Sequence, residues 1–484
     1  MKLTLLHTND IHGHFDELAR LVTMARRIRA EVESEGGHCL LIDCGDAEDR
    51  TVLEVAVTRG NAAMAYLRAA GYDLAAVGNG AALSFGPQVI PAMAEAAGFP
   101  FMAANLLDES GNLTTGCTAS VIREIGGIRL GFIGMAPRWH FWRLFGIETP
   151  ESAPIVIEEI EKLRADGAQQ IVLLSHLGLA ADLQMILSIR DIALILGGHS
   201  HTTIFNGLIQ FDTLIAQAGD YGRFLGRVDL HMDDATGEIL SRSATLIPLD
   251  PAIDPNPAVM ARIATQKAHV AQLLQQPVGQ LSEALSFDPI EESRATNLLA
   301  DAIRERTGAN VAICFPANLL DSIDRGTVIL GDVYRACKSP ANPTWRILTG
   351  SQLLEMLEVA CDPKRAERIP FWTRGRPHGL IAVSGMTARF DPAAPPGTRV
   401  TSVTVGDEPL VPDRHYRVSG GAAEMTNLGW QDQRRRHELS FELNDEDANY
   451  EVPTTLRDAL EEYLRKHTPV TSPETGRIGR ENRP

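Results

Sequence analysis

From Met1 to about Asp250, short apolar runs alternate with amphipathic stretches, the pattern of an α/β unit. The first run, Leu3 to Leu6, leads into Thr8-Asn9-Asp10-Ile11-His12, and the predicted strands end at Asp10, Asp46, Asn79, His176 and His199. Between them Asp16–Glu33 carries apolar residues at helical spacing, as does Asn61–Ala70, which Gly71-Tyr72-Asp73 brings to a stop. Pro251 to Pro257 forms a Pro-rich joint. Val259, Met260, Ile263, Val270, Leu273 and Leu274 then recur at helical intervals, so Ala258–Gln276 is predicted to be a linking helix. The remainder opens with a helical stretch, Ser293–Thr307, and becomes strand-rich at Thr398–Val405 and His415–Ser419, with turns near Pro395-Pro396-Gly397. The tail, 468–484, is polar and spotted with Pro and Gly, and is expected to be loose. The expected division is a first domain over 1–250, a linker helix within 251–277, a second domain over 278–467, and that tail.

A chain of 484 residues exceeds what one core organises, which agrees with two domains. The 45 basic against 62 acidic residues leave a net charge of −17, which disfavours a nucleic acid polymer as partner. A small anion held by metal ions is compatible with that charge, because the ions dominate their own site. The six cysteines show no CxxC pairing, and reduced, mostly buried thiols are expected. No leader and no apolar run near about 18 residues is evident. The expectation is a cytoplasmic chain without a membrane partner.

Candidate chemistry lies at the predicted strand ends: Asp10-x-His12, Gly45-Asp46, Gly78-Asn79, His176 in Ser-His-Leu-Gly, and His199-x-His201 in Gly-Gly-His-Ser-His-Thr. An extended Asp-x-His points carboxylate and imidazole to one side, where one ion can take both. Taken singly, Gly-Asp is also a turn, Gly-Asn a helix cap and a lone histidine a core residue. Together and in order, beyond the carboxyl ends of strands where ligands of α/β sheets gather, they read as a site. Three oxygen donors and four imidazoles exceed one ion and suit two, with a carboxylate able to bridge them.

HTNDIHG, GD, GN, SHLG and GGHSHT in that order resemble the 5′-nucleotidase branch of the calcineurin-like metallophosphoesterases. Glu292–Asp301, Leu348-Thr349-Gly350 with Gln352-Leu353, and Ser384-Gly385-Met386 are similar to that family's C-terminal domain. The resemblance implies a four-layer α/β/β/α catalytic domain (α+β overall), a linking helix and a substrate-binding C-terminal α/β domain. It implies that Asp10, His12 and His201 hold one divalent ion, that Asn79, His176 and His199 hold another, and that Asp46 bridges them. Mn²⁺, Zn²⁺, Fe and Co²⁺ all suit such mixed donors. The implied activity is hydrolysis of a small phosphorylated substrate, nucleotides among them, by a metal-bound hydroxide, with Asp46 and Asn79 at the reacting centre. Asn9 and Asp191 are candidate supports behind the ligands.

The sequence departs from the family in two places. The third motif reads Gly78-Asn79-Gly80, so the family's catalytic histidine is Gly80, and such a loss costs on the order of 10²–10⁴ in rate. Arg50, four residues after Asp46, is the first candidate replacement, with His14 and His140 behind it. In the second half the family's substrate-holding Asn-Gly-Gly…Arg segment is Phe315 to Ile323, its arginine position falling near Leu320, and the Gly-Gly-Asp-Gly-Phe segment is Gly420 to Met425, without its Phe. Phe371, Trp372 and Trp430 are candidate aromatic contacts, and Arg374 and Arg376 candidate anion contacts. The preferred reading is a dinuclear phosphoester hydrolase. The alternative is a catalytically weak metal-binding protein that binds or senses a phosphorylated ligand. A sulfur-oxyanion ester is a third substrate class.

Overall fold

The structure is a computed structural model that describes residues 1–481 except 374, 433 and 435; the side chains of 81, 83 and 372 are likewise outside the description. The chain divides into unit 1, Met1–Val270, and unit 2, Ala271–Pro484.

Unit 1 is built on two six-stranded sheets. One contains β1 (Lys2–Thr8), β2 (His38–Asp43), β3 (Leu74–Ala76) and β4 (Phe101–Met102), parallel neighbours in that order. The other centres on β5 (Ile128–Met135), β6 (Gln170–Ser175) and β7 (Leu194–Gly197), also parallel. The parallel strands are buried on both faces, which is why they read as continuous apolar runs. In β1, Leu3 and Leu5 enter the apolar layer between the sheets, where Val172 and Leu174 of β6 meet them. Leu6 turns the other way, into a cluster with Leu18, Leu21 and Val22 of α1 (Phe15–Ser34) and with α2 (Asn61–Ala70). Ile171 and Leu173 of β6 pack outward against α3 (Ser152–Ala165) and α4 (Leu179–Ser188). Helix, sheet, sheet and helix therefore stack as four layers.

The helix at the end of this unit, α5 (Pro257–Leu273), starts and stops within a few residues of its predicted bounds. The five strands expected to end on a candidate ligand stop short of it: Thr8, Asp43, Ala76, Ser175 and Gly197 are their last residues. Beyond three of them the backbone turns left-handed, at Asp10, Asp46 and His199, whereas Asn79, at φ −93°, stands at the start of a helix.

Unit 2 is α/β. Helix α6 (Arg294–Thr307) is capped by the Ser293 hydroxyl and packs over a sheet containing β8 (Val311–Cys314), β9 (Pro343–Thr349), β10 (Ala382–Ser384) and β12 (His415–Gly421), with the order β10-β8-β12-β9. A four-stranded sheet includes β11 (Met386–Phe390). The tail is a correction to the sequence reading. Ile478–Arg480, designated β13, adds parallel to β11, and Arg477 clasps Asp301 of α6 with two nitrogens at 2.7 and 2.8 Å. A segment of polar residues reads as loose, but here its charges and backbone find fixed partners.

Candidate metal centre

Beyond the strand tips of unit 1, ligand atoms converge. Asp10 Oδ1 lies 3.6 Å from His12 Nε2, 3.3 Å from His201 Nε2 and 3.8 Å from His176 Nε2. Asp46 Oδ2 lies 3.3 Å from His176 Nε2 and 3.9 Å from His12 Nε2, between the two histidines. The His199 ring is 5.3 Å from that of His176, and its backbone N–H donates to Asp10 Oδ2 at 2.9 Å. Two sets have a spacing suited to holding one ion each, Asp10/His12/His201 and Asp10/Asp46/His176.

The backbone adopts costly conformations to achieve this. Asp10, His12, Asp46, His199 and His201 all have φ between 46° and 71°, in the left-handed region. For non-glycine residues that region costs about 1–2 kcal/mol each and persists only where the surroundings enforce it. Among described residues only Arg59, Phe211 and Tyr221 share it outside this set. The flanking glycines permit the close approach: a Cβ on Gly45 would lie 2.5 Å from His176 Nδ1, and one on Gly78 would lie 2.0 Å from Asp46 Oδ1.

Supports fix which nitrogen faces inward. His176 Nδ1 bonds the Cys44 carbonyl at 2.6 Å and His201 Nδ1 bonds Asp220 Oδ2 at 3.0 Å, leaving both Nε2 atoms for a ligand role. Asn9 donates to Asp10 Oδ2 at 2.7 Å and to the Gly219 carbonyl, and accepts from the Ala218 N–H, so it aims Asp10. The residues present fit divalent ions by a direct test. Asp10 Oδ1, Asn79 Oδ1 and His176 Nε2 are buried atoms with no hydrogen-bond partner, an arrangement that costs about 1–3 kcal/mol per atom unless something else satisfies it.

Electrostatics agree. Burial opposes ionisation of Asp10, but the adjacent His12 and His201 rings and the charge of His176 hold its carboxyl well below the usual range. Burial would lower His176, yet the carboxylates of Asp46 and Asp10 outweigh it and push the imidazole up to about 10. A cation held by His176 would compete with that proton. Burial and the charge of His176 push His199 down, toward its neutral, ligating form.

Other residues singled out in the sequence fare differently. Gly80 contributes backbone, its N–H donating to Asp46 Oδ1 at 2.7 Å. A Cβ there would lie 3.1 Å from both the carbonyl and Oε1 of buried Glu48, so a histidine at position 80 requires Glu48 to move. Arg50 is exposed on the loop that follows Asp46. His14 lies 3.7 Å from Glu17, and His140 stacks on Phe141; neither joins the ligand sets. Asp191 is not a support: it pairs with Arg164 at 2.9 Å on the surface.

In unit 2, Trp430 is a second correction. It is fully buried, donates to the Glu424 carbonyl and packs against Phe315, so it offers no face to a substrate. Leu320, at the family's arginine position, is 39% exposed. Phe371 is exposed, Arg376 Nε donates to the Thr373 carbonyl, and Arg374 and the Trp372 side chain lie outside the described residues. Sequence reasoning missed Asp220 and the Cys44 carbonyl. The first sits in another Gly-Asp pair, Gly219-Asp220, and that repetition was its only signal.

This fold and site define a metal-dependent phosphoester hydrolase. The calcineurin-like phosphoesterase model matches residues 3–203, and the model for the 5′-nucleotidase C-terminal domain matches 277–421. The chain belongs to the calcineurin-like phosphoesterases of the 5′-nucleotidase type. It is 28% identical to the metallophosphoesterase YunD of Bacillus subtilis over 88% of this chain and 93% of that one. It is 24% identical to a 5′-nucleotidase of Diplobatis ommata over 86% and 81%. The structure of the NAD nucleotidase NadN of Haemophilus influenzae has the same fold, with a TM-score of 0.64 at 16% identity over the whole of both chains.

Proposed function

We propose that the protein hydrolyses small phosphate esters, nucleoside monophosphates among them, with two divalent ions held at the tips of the unit 1 strands. Asp10, His12 and His201 would hold one ion, Asn79, His176 and His199 the other, with Asp46 between them. The observation that carries this is the set of orphaned buried atoms, Asp10 Oδ1, Asn79 Oδ1 and His176 Nε2, at one end of the strands. When bound, such a pair supplies Lewis acidity and lowers the pKa of water.

This chain's residues supply the rest. Asp220 and the Cys44 carbonyl keep the His201 and His176 rings turned inward. Asn9 and the His199 N–H fix Asp10, and the Gly80 N–H fixes Asp46. Position 80 offers no side-chain proton donor, so turnover is expected to favour esters with good leaving groups. Arg50 is proposed to reach a phosphoryl oxygen from the Asp46 loop. In unit 2, Phe371, Trp372, Arg374 and Arg376 are retained as proposed substrate contacts. A cytoplasmic location is part of this reading and is supported by six free cysteines; among described residues no helix is long and apolar enough to cross a membrane.

The test is metal analysis after loading with Mn²⁺ or Zn²⁺, together with a screen of nucleotides, dinucleotides and an aryl phosphate. Two bound ions per chain and turnover of the aryl ester are expected, and Asp46→Asn is expected to lower kcat by at least about 10²–10³. Gly80 and Leu320 favour the second reading, a weakly catalytic receptor for a phosphorylated ligand. Two bound ions with tight phosphate binding but no turnover of any ester would establish it instead.

A further inference from the structure

Beside the metal centre, unit 1 carries an exposed indole that the site described above does not use. Trp139 is 40% exposed, whereas Trp142 and Trp430 are fully buried. Its ring centre lies 6.2 Å from that of His199, edge-on at 73°, and 5.7 Å from Phe141 at the same angle. Leaving a tryptophan ring in water forfeits one of the largest apolar burials available to a side chain. The segment that presents it is pinned on both sides. Trp142 is buried and donates from its indole to the Pro137 carbonyl at 2.9 Å, and the Trp142 N–H donates to the Trp139 carbonyl at 3.1 Å. Arg138 Nη2 reaches Glu151 at 2.7 Å. Trp139 is thus a rigidly mounted ring next to a proposed ligand. Tyr221, near the other histidines at 5.9 Å from His12 and His201, differs, because His14 already lies against it at 4.8 Å with the planes tilted by 33°.

We infer that Trp139 is a specificity-determining residue, a stacking platform for an aromatic group, a nucleobase or an aryl ring, attached to the phosphate held at the metal centre. This rests on the proposed phosphoesterase site and goes beyond it by placing recognition of the aromatic group in unit 1. Stacking of a base on an aromatic side chain is worth about 1–3 kcal/mol, or roughly 5- to 150-fold in affinity.

The experiment compares 4-nitrophenyl phosphate and adenosine monophosphate with glycerol 2-phosphate, using the Mn²⁺-loaded full chain. For Trp139→Ala, the ratio of kcat/KM for the aromatic over the non-aromatic ester is expected to fall about tenfold, mainly through KM, and Trp139→Phe should restore most of it. A second readout needs no turnover. Titration with a non-hydrolysable adenosine phosphonate should quench tryptophan fluorescence in the parent protein and much less in Trp139→Phe. An unchanged ratio, or equal losses on all esters, would overturn the inference while leaving the phosphoesterase reading intact. Absence of turnover of every ester by the parent protein would sink that reading, and quenching would still report on Trp139.

Discussion

At the strand tips of unit 1, the Nε2 atoms of His12 and His201 face each other 3.2 Å apart, and Asp10 and Asp46 crowd the same space. In unit 2 two buried charged groups meet opposites or amide donors, although Arg365 Nη1 and Glu424 Oε2 keep no hydrogen-bond partner. Arg365, fully buried, gives Nε to Glu438 at 2.9 Å and Nη2 to the Gly429 carbonyl at 2.6 Å, with Arg368 on the other Glu438 oxygen at 2.7 Å. Glu424 accepts from the Phe315 N–H and the Asn318 amide. A cluster of opposites largely closes on itself and stabilises a fold. The strand-tip cluster also pairs histidines with aspartates, but it leaves Asp10 Oδ1, Asn79 Oδ1 and His176 Nε2 without hydrogen-bond partners, the atoms that the proposed ions would take up.

The largest effect that would sharpen the contrast comes from the closed cluster. Arg365→Ala empties a buried site and leaves half-buried Glu438 with Arg368 alone, and urea unfolding of unit 2 is expected to lose about 3–5 kcal/mol. For the open cluster, chelation should do the equivalent. With ions at about 1,000 times their dissociation constant, the linkage gain is about 4 kcal/mol, so EDTA should lower the unit 1 melting transition by about 10 °C and leave the unit 2 transition in place. Equal shifts in both transitions would break the comparison. Next in size, Asp220→Asn should weaken binding of one ion about 10- to 100-fold by calorimetry, because His201 loses the carboxylate that fixes its tautomer.

The smallest effect is a pH dependence in unit 2. Burial pushes the Glu424 carboxyl up to about 7. The folded state then holds a proton that the unfolded state releases at ordinary carboxylate pH, so this stability is fully present below about pH 4.5 and is lost as pH rises through 7. Glu424→Gln keeps a neutral acceptor for both donors. Its unit 2 transition should exceed that of the parent by a few degrees at pH 8 and by little at pH 5.

Much of the first unit was legible in the chain because the five strands that precede candidate ligands are apolar runs, and each candidate lies one to three residues beyond the end of its strand. Asn61–Ala70 matches its predicted bounds because Gly71, at φ 84°, ends it where the periodicity stops. Strand ends were misplaced because periodicity carries no sign of the left-handed backbone at Asp10 or His199. Asp220 and the Cys44 carbonyl escaped for another reason: one is distant in sequence from the ring it turns, and the other acts through its main chain. Trp430 looked available because a lone tryptophan in an irregular segment gives no periodic hint of burial. The tail was misread because Arg477 and Asp301, 176 residues apart, are each unremarkable alone.

The closing strand Ile478–Arg480 sets an order of events during synthesis. Every strand and helix of unit 1 lies before residue 274, so that unit has all its parts while the ribosome is still making the second. Unit 2 is in the reverse position: one edge of a sheet and the clasp on Asp301 stay missing until residue 480 has emerged from the exit tunnel. Chains in which that segment is still sequestered should expose an unpaired sheet edge, which leaves unit 2 open to aggregation for longer than unit 1.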